Sequence, residues 1–196
     1  MEKQKKVIVY DVQDEIMGVQ AISLVDEPAI MSNFIYLSEE KKIKLSNVDT
    51  ERKMVYGAVL IPDMHILRID KQTGEEYYIS FTKECIMQAA HMYLKKNLLH
   101  NHTLQHEVAV TGLTVVESWI KESEQDKSTH FGLNVPVGTW VAGVKIDNEA
   151  VLEQVKEGNV KGFSIEGMFS AATEELTNHI SEDLFMQELE ELLKNA

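Results

Sequence analysis

A single cysteine among 196 residues rules out an intramolecular disulfide, which suits a reducing compartment. That residue, Cys85, lies within an apolar helical pattern and reads as core rather than nucleophile. Basic residues are scarce: 19 Lys and Arg face 32 Asp and Glu, a net charge of −13. Phosphate backbones repel so acidic a chain, so nucleic acid is not expected as a partner. Long apolar runs are missing too. None approaches the roughly 18 residues that cross a bilayer, and residues 7–12, after the basic start, are too short and interrupted for a leader core. No membrane association is therefore expected. G-x-G-x-x-G, a Walker loop, paired cysteines at metal spacing and H-E-x-x-H are all lacking, so no cofactor is expected.

What remains is ordinary globular composition, 44% hydrophobic and 26% charged, at a length that suits one domain with appendages. Val7-Ile8-Val9-Tyr10 is a β-branched run typical of a strand. Residues 19–25 form another, ending where Pro28 pushes Glu27 out of the helical region. Residues 38–53 are charged with scattered apolar positions and read as an exposed linker or flap. Residues 54–61 are almost continuously apolar, fitting a buried central strand. Short turns at Pro62-Asp63 and Lys71-Gln72-Thr73-Gly74 then predict an antiparallel meander through residues 65–69 and 76–81. Thr82 can cap a helix whose apolar face is Ile86, Ala89, Ala90, Tyr93 and Leu94.

Strand-like runs recur at residues 108–110, 113–116, 141–146 and 160–169, with a short helix capped by Asp147 and ended by Gly158. From Ala171 the character changes. Ser181 can cap an acidic amphipathic helix striped by Phe185, Leu189, Leu192 and Leu193, a surface for self-packing or for a homo-oligomer. The expected organisation is 1–53 as N-terminal strands and linker, 54–170 as the core, and 171–196 as the C-terminal helix, one domain overall.

The stretch Gly162-Phe163-Ser164-Ile165-Glu166-Gly167 sets one hydroxyl between two glycines in an alternating, half-buried strand pattern. Glycine on both sides permits close approach of a backbone or substrate. A serine in such a place is most often only a strand residue. A nucleophile also needs a base within hydrogen-bond reach and a third group to orient that base. His106, at the entrance to Val108-Ala109-Val110, is the base candidate. Glu117 is the preferred orienter, because a carboxylate after an apolar strand, flanked by Val116 and Trp119, needs a partner. Glu166 is second choice, since it shares the face of Ser164.

The histidines allow a different chemistry. His100, His102 and His106 fall within seven residues and could hold zinc, with Glu107 or Glu117 completing the site of a zinc hydrolase. On spacing alone, a polar surface turn that happens to carry histidines competes with both chemistries.

Six stretches occur together and in order: residues 21–30 (AISLVDEPAI), 57–63, Gln105-His106-Glu107, Val116-Glu117-Ser118-Trp119-Ile120, Pro136-Val137-Gly138-Thr139-Trp140 and 162–167 (GFSIEG). Through them the chain, over roughly residues 7–170, resembles the XkdF-like phage serine proteases. These fall within the tailed-phage prohead (capsid maturation) proteases, relatives of herpesvirus assemblin. The resemblance implies a mixed β/α, mainly antiparallel fold, a compact assemblin-like β-barrel with peripheral helices. It implies a serine endopeptidase that cleaves scaffold and major capsid proteins, and itself by autoproteolysis, inside the assembling prohead in the host cytoplasm; the portal is a further candidate partner. By motif, Ser164 becomes the nucleophile and His106 the base, with Glu117 as third member and Glu166 or His179 as alternatives. Backbone amides near Gly162 or Gly138 are candidates for an oxyanion hole. The rival from another class is a non-enzymatic head scaffold protein that docks through its terminal helix.

Overall fold

The structure is a computed structural model and describes residues 6–14, 16–28, 35–36, 52–70 and 72–176. Its strands, in chain order, are β1 (Lys6–Asp11), β2 (Gly18–Val25), β3 (Ile35–Tyr36), β4 (Met54–Leu60), β5 (Ile66–Ile69), β6 (Glu76–Phe81), β7 (His102–Leu104), β8 (Val108–Val110), β9 (Leu113–Ile120), β10 (Trp140–Ile146), β11 (Gly162–Met168) and β12 (Ser170–Leu176). The helices are α1 (Lys83–Lys95), α2 (Lys127–His130) and α3 (Glu149–Lys156). The mainly antiparallel, mixed β/α class expected from sequence is observed.

These strands form three four-stranded sheets, in the orders β12-β1-β6-β5, β3-β4-β10-β9 and β11-β2-β7-β8. Among the described residues no sheet closes on itself, so the expected barrel is replaced by three open ladders. Two pairings, β1 with β6 and β2 with β7, are parallel. β1 and β2 are interior strands of their sheets, so the N-terminal strands belong to the body of the fold.

Burial explains where each strand lies. All seven residues of β4 are buried, and β4 runs between β3 and β10 at the heart of its sheet. β5 alternates with exposed positions and is an edge. The predicted meander is therefore corrected to a β5–β6 hairpin, with β4 in a different sheet. In α1, Thr82 accepts the N–H of Cys85, as its cap position predicts. The buried face of α1 is Cys85, Ile86, Ala89, Ala90 and Tyr93, whereas Leu94 is 41% exposed. Tyr93 meets the fully buried Trp140 of β10 edge-on, ring centroids 5.5 Å apart. An aromatic buried to that degree contributes about 3–5 kcal/mol when measured by truncation to alanine. The cap of α3 is Asn148 rather than Asp147, its side chain accepting the N–H of Val151.

Residues 171–176, expected to begin the C-terminal helical segment, instead belong to β12, antiparallel to β1. The helix predicted from Ser181, with His179, lies outside the described residues, as does most of the linker at 38–53. No helix among the described residues is long and apolar enough to cross a membrane.

Candidate active site

The sheet β11-β2-β7-β8 sorts its residues into rows. Ser164 pairs with Ser23, and Ser23 with Thr103, so three hydroxyl side chains lie abreast on one face. The flanking rows, Phe163–Leu24–Leu104 and Ile165–Ile22–His102, point to the opposite face. There Phe163, Leu24 and Ile22 are fully buried. The apolar rows fix the register, because a slip of one residue would turn the hydroxyl row into the core. Glu166, two residues beyond Ser164, returns to the polar face. The strand bulges between Glu166 and Gly167. At Gly167 a Cβ would lie 2.4 Å from the carbonyl oxygen of Gly18, so only glycine lets β11 approach β2 there.

His106 reaches this face from the β7–β8 turn. Gln105 and His106 both have positive φ, 53° and 61°, and the Glu107 N–H closes the turn on the Leu104 carbonyl at 3.0 Å. Left-handed backbone at two successive non-glycine residues costs stability and persists only where surrounding contacts hold it. Ser23 supplies one such contact: its buried Oγ accepts the His106 N–H at 3.0 Å and faces the Thr103 carbonyl at 3.4 Å. The His106 ring then places Nδ1 3.2 Å from Glu166 Oε1, the oxygen that also accepts the Thr103 hydroxyl. The two side chains are 41% and 37% exposed.

With Nδ1–H given to a carboxylate, the imidazole is held in the tautomer whose Nε2 lone pair is free to act as a base. Ser164 is half-buried two residues from Glu166 on the same strand, and among the described residues its Oγ makes no hydrogen bond. The structure thus gathers Ser164, His106 and Glu166 on one face. Sequence reasoning missed Ser23 and Thr103. The trace of Ser23 is the matched pattern Ile22-Ser23-Leu24 and Phe163-Ser164-Ile165, each a lone hydroxyl between large apolar residues.

Glu117, the acid preferred from sequence, has other partners. On β9 its Oε1 accepts the Tyr56 hydroxyl at 2.5 Å and its Oε2 meets Lys127 Nζ. Burial pushes its carboxyl upward, but the hydrogen bonds from Lys127 and Tyr56 and the Lys127 charge outweigh that and hold it below the usual range. Burial, and then the Glu117 hydrogen bond, push the Tyr56 phenol well up. Lys127 also lies 3.8 Å over the Trp119 ring, and Trp119 Nε1 donates to Asp126 Oδ1 at 3.0 Å. The Glu117 cluster thereby clasps the start of α2 to β9.

The three histidines proposed for zinc do not converge. His100 Nδ1 faces Thr114 Oγ1 at 3.1 Å, while His102 is buried with its nitrogens toward the Ile22 and Leu99 carbonyls. Burial lowers the His102 pKa despite those two carbonyls. Among the described residues no three His, Cys, Asp or Glu side chains cluster to hold a metal. Of the oxyanion-hole candidates, the Gly138 N–H is already donated to the Lys121 carbonyl at 2.8 Å.

Residues 42–174 match a family described as "Putative phage serine protease XkdF". The chain is 29% identical over 167 residues to the phage-like element PBSX protein XkdF of Bacillus subtilis, covering 80% of this chain and 54% of that protein. It is 30% identical over 155 residues to the uncharacterized protein YqbD of the same organism, covering 74% of this chain and 43% of that one. The chain thus spans about half the length of these curated relatives. No solved structure matches. The matched span contains Ser164, His106 and Glu166, and the chain belongs to the XkdF family of phage serine protease-like proteins.

Proposed function

We propose that this protein is a serine endopeptidase of phage head maturation, with Ser164 as nucleophile, His106 as general base and Glu166 as the group that orients it. The observation that carries the reading is the 3.2 Å contact between His106 Nδ1 and Glu166 Oε1 on the face that bears Ser164. His106 Nε2 takes the hydroxyl proton as Ser164 Oγ attacks the scissile carbonyl, then delivers it to the leaving amine. Water, deprotonated by the same nitrogen, attacks the acyl-enzyme and restores the serine. Glu166 stabilises the imidazolium formed in both halves, and Thr103 fixes the carboxylate.

The substrates in this reading are scaffold and major capsid proteins, with the portal and the protease itself as further targets, inside the assembling prohead. Membership of a phage family described as serine proteases supports it. The test is co-expression of the Ser164→Ala protein with the capsid protein of its phage: processing stops while the circular-dichroism spectrum is unchanged. Continued processing overturns the assignment.

One observation favours a second reading. Ser164 Oγ and His106 are not hydrogen-bonded to each other, as a protease-like domain retained as a non-enzymatic head scaffold would allow. Catalytic hydrogen bonds are often long without substrate, so the enzyme reading stands first. A fluorophosphonate separates the two, because only the enzyme is labelled at Ser164.

A further inference from the structure

One strand, β2, touches both halves of the site. Its Ser23, fully buried, is the register partner of Ser164 on β11. The same residue reaches the base, because its Oγ accepts the His106 N–H at 3.0 Å. The residues that follow continue this two-sided contact. The Leu24 carbonyl accepts the Gln105 N–H at 3.0 Å, and the Val25 carbonyl accepts the N–H of Lys161, just ahead of β11, at 2.8 Å. Asp26 then meets the Gln105 side chain. The orientation of the Gln105 amide that satisfies both groups donates to Asp26 Oδ1 at 3.0 Å and accepts the Asp26 N–H at 3.2 Å. The carboxylate is held in place by the Glu27 N–H, which donates to the same Oδ1 at 2.8 Å.

The turn that carries the base needs such a hold. Gln105 and His106 keep left-handed backbone, φ 53° and 61°, without being glycine, and that conformation persists only where neighbours impose it. The ladders do not impose it. β7 ends at Leu104 and β8 begins at Val108, so residues 105–107 lie outside both strands. Freed from Ser23, Leu24 and Asp26, the turn relaxes toward negative φ and carries the imidazole, 41% exposed, away from Glu166. The stretch AISLVDEP at residues 21–28 and the turn Gln105-His106-Glu107, far apart in the chain, therefore act as one unit.

We propose that Ser23 and Asp26 are positioning residues for the base: β2, in register with Ser164 on one side, clasps residues 105–106 on the other and so sets His106 against the nucleophile. The proposal rests on His106 as base and Ser164 as nucleophile for its place in the reaction, but the clasp can be read without turnover. In isotope-labelled full-length protein, the nitrogen shifts of the His106 ring report the Nδ1–H tautomer that Glu166 selects. Ser23→Ala removes the acceptor of the His106 N–H. The Nδ1–H tautomer is then lost, the His106 amide exchanges faster, and Ser164 labelling by a fluorophosphonate slows roughly 10- to 100-fold. Asp26→Ala brings the same change of tautomer and slows labelling roughly three- to ten-fold, whereas Asp26→Asn keeps an acceptor for the Gln105 amide and stays within about two-fold of wild type. Asp26 is exposed, so its two variants decide the matter even where Ser23→Ala does not fold. A contact that served only stability would lower the melting temperature and leave the tautomer alone. Wild-type tautomer and labelling in either folded alanine variant, or Asp26→Asn as slow as Asp26→Ala, overturns the proposal. The two readings fail separately. A wild-type protein that the fluorophosphonate leaves unlabelled, with the change of tautomer still seen in the alanine variants, refutes the nucleophile and leaves the clasp standing. Labelling of Ser164 at one rate in every variant does the reverse.

Discussion

Replacing Glu166 by Gln keeps the size of the side chain and removes its charge, so it isolates what the carboxylate does for His106. A hydrogen bond to a charged group is worth about 1.5–3 kcal/mol. His106 and Glu166 are each more than a third exposed, which places this pair in the lower part of that range, about 1.5–2 kcal/mol. At about 1.4 kcal/mol per factor of ten, Glu166→Gln should lower the rate of Ser164 labelling by a fluorophosphonate roughly 10- to 30-fold. The labelling rate needs no knowledge of the natural substrate, and it depends on the base that activates the serine. Glu117→Gln is the matched control. Its oxygens serve Tyr56 and Lys127, so it should leave the labelling rate within about two-fold while lowering thermal stability. Wild-type labelling in Glu166→Gln together with slow labelling in Glu117→Gln would refute the assignment of the acid.

Three further perturbations probe the frame around the site. Gly167→Ala forces a methyl group against the Gly18 carbonyl at 2.4 Å, an overpacking cost of about 1–3 kcal/mol. Calorimetry should show a fall of about 2–12 °C in melting temperature, with slower labelling of Ser164, because β11 must shift. Burial, with Asp11 adding to it, pushes the Cys85 thiol up to about 12, so a thiol reagent at neutral pH should modify it only when α1 opens, at the rate of unfolding. The depressed carboxyl of Glu117 contributes stability above its unfolded value of about 4.3, and that contribution is lost as pH falls further. Its partial exposure limits the effect to about 1 kcal/mol, so the drop in melting temperature between pH 6 and pH 3 should be up to about 3 °C smaller in Glu117→Gln.

Period and punctuation made much of the fold legible in sequence. The unbroken apolar run at residues 54–61 signalled a strand covered on both faces, and the 3.6-residue spacing after Thr82 signalled α1. Partnership between strands was not legible. Short turns made β4, β5 and β6 look like one meander, but β4 has no polar face to show to solvent and so lies inside another sheet. β12 has a composition, SAATEEL, with little strand preference of its own. Its ladder with β1, more than 150 residues earlier in the chain, makes it a strand.

The same limit explains the choice of acid. A carboxylate beside an apolar strand demands partners, and that reasoning about Glu117 held. It could not say that one partner would be a tyrosine on β4 and the other a lysine opening α2. Glu166 was placed beside Ser164 by strand alternation alone, which is a local fact. Its nearness to His106 is not local. It needs β2 between β11 and β7, with Ser23 aligned to Ser164 on one side and Thr103 on the other. It needs the left-handed turn at residues 105–106, which brings the imidazole back over the sheet, and the Ser23 hydroxyl that receives its amide. Each of these features is ordinary in sequence: one serine in a strand, one threonine in another, a turn without glycine. The register, set by buried Phe163, Leu24 and Ile22 on the opposite face, converts them into a single polar row. The hydrophobic face of the sheet therefore aligns the polar one, and substitutions at Phe163 or Leu24, whose side chains lie on the opposite face, should misplace Ser164 and His106.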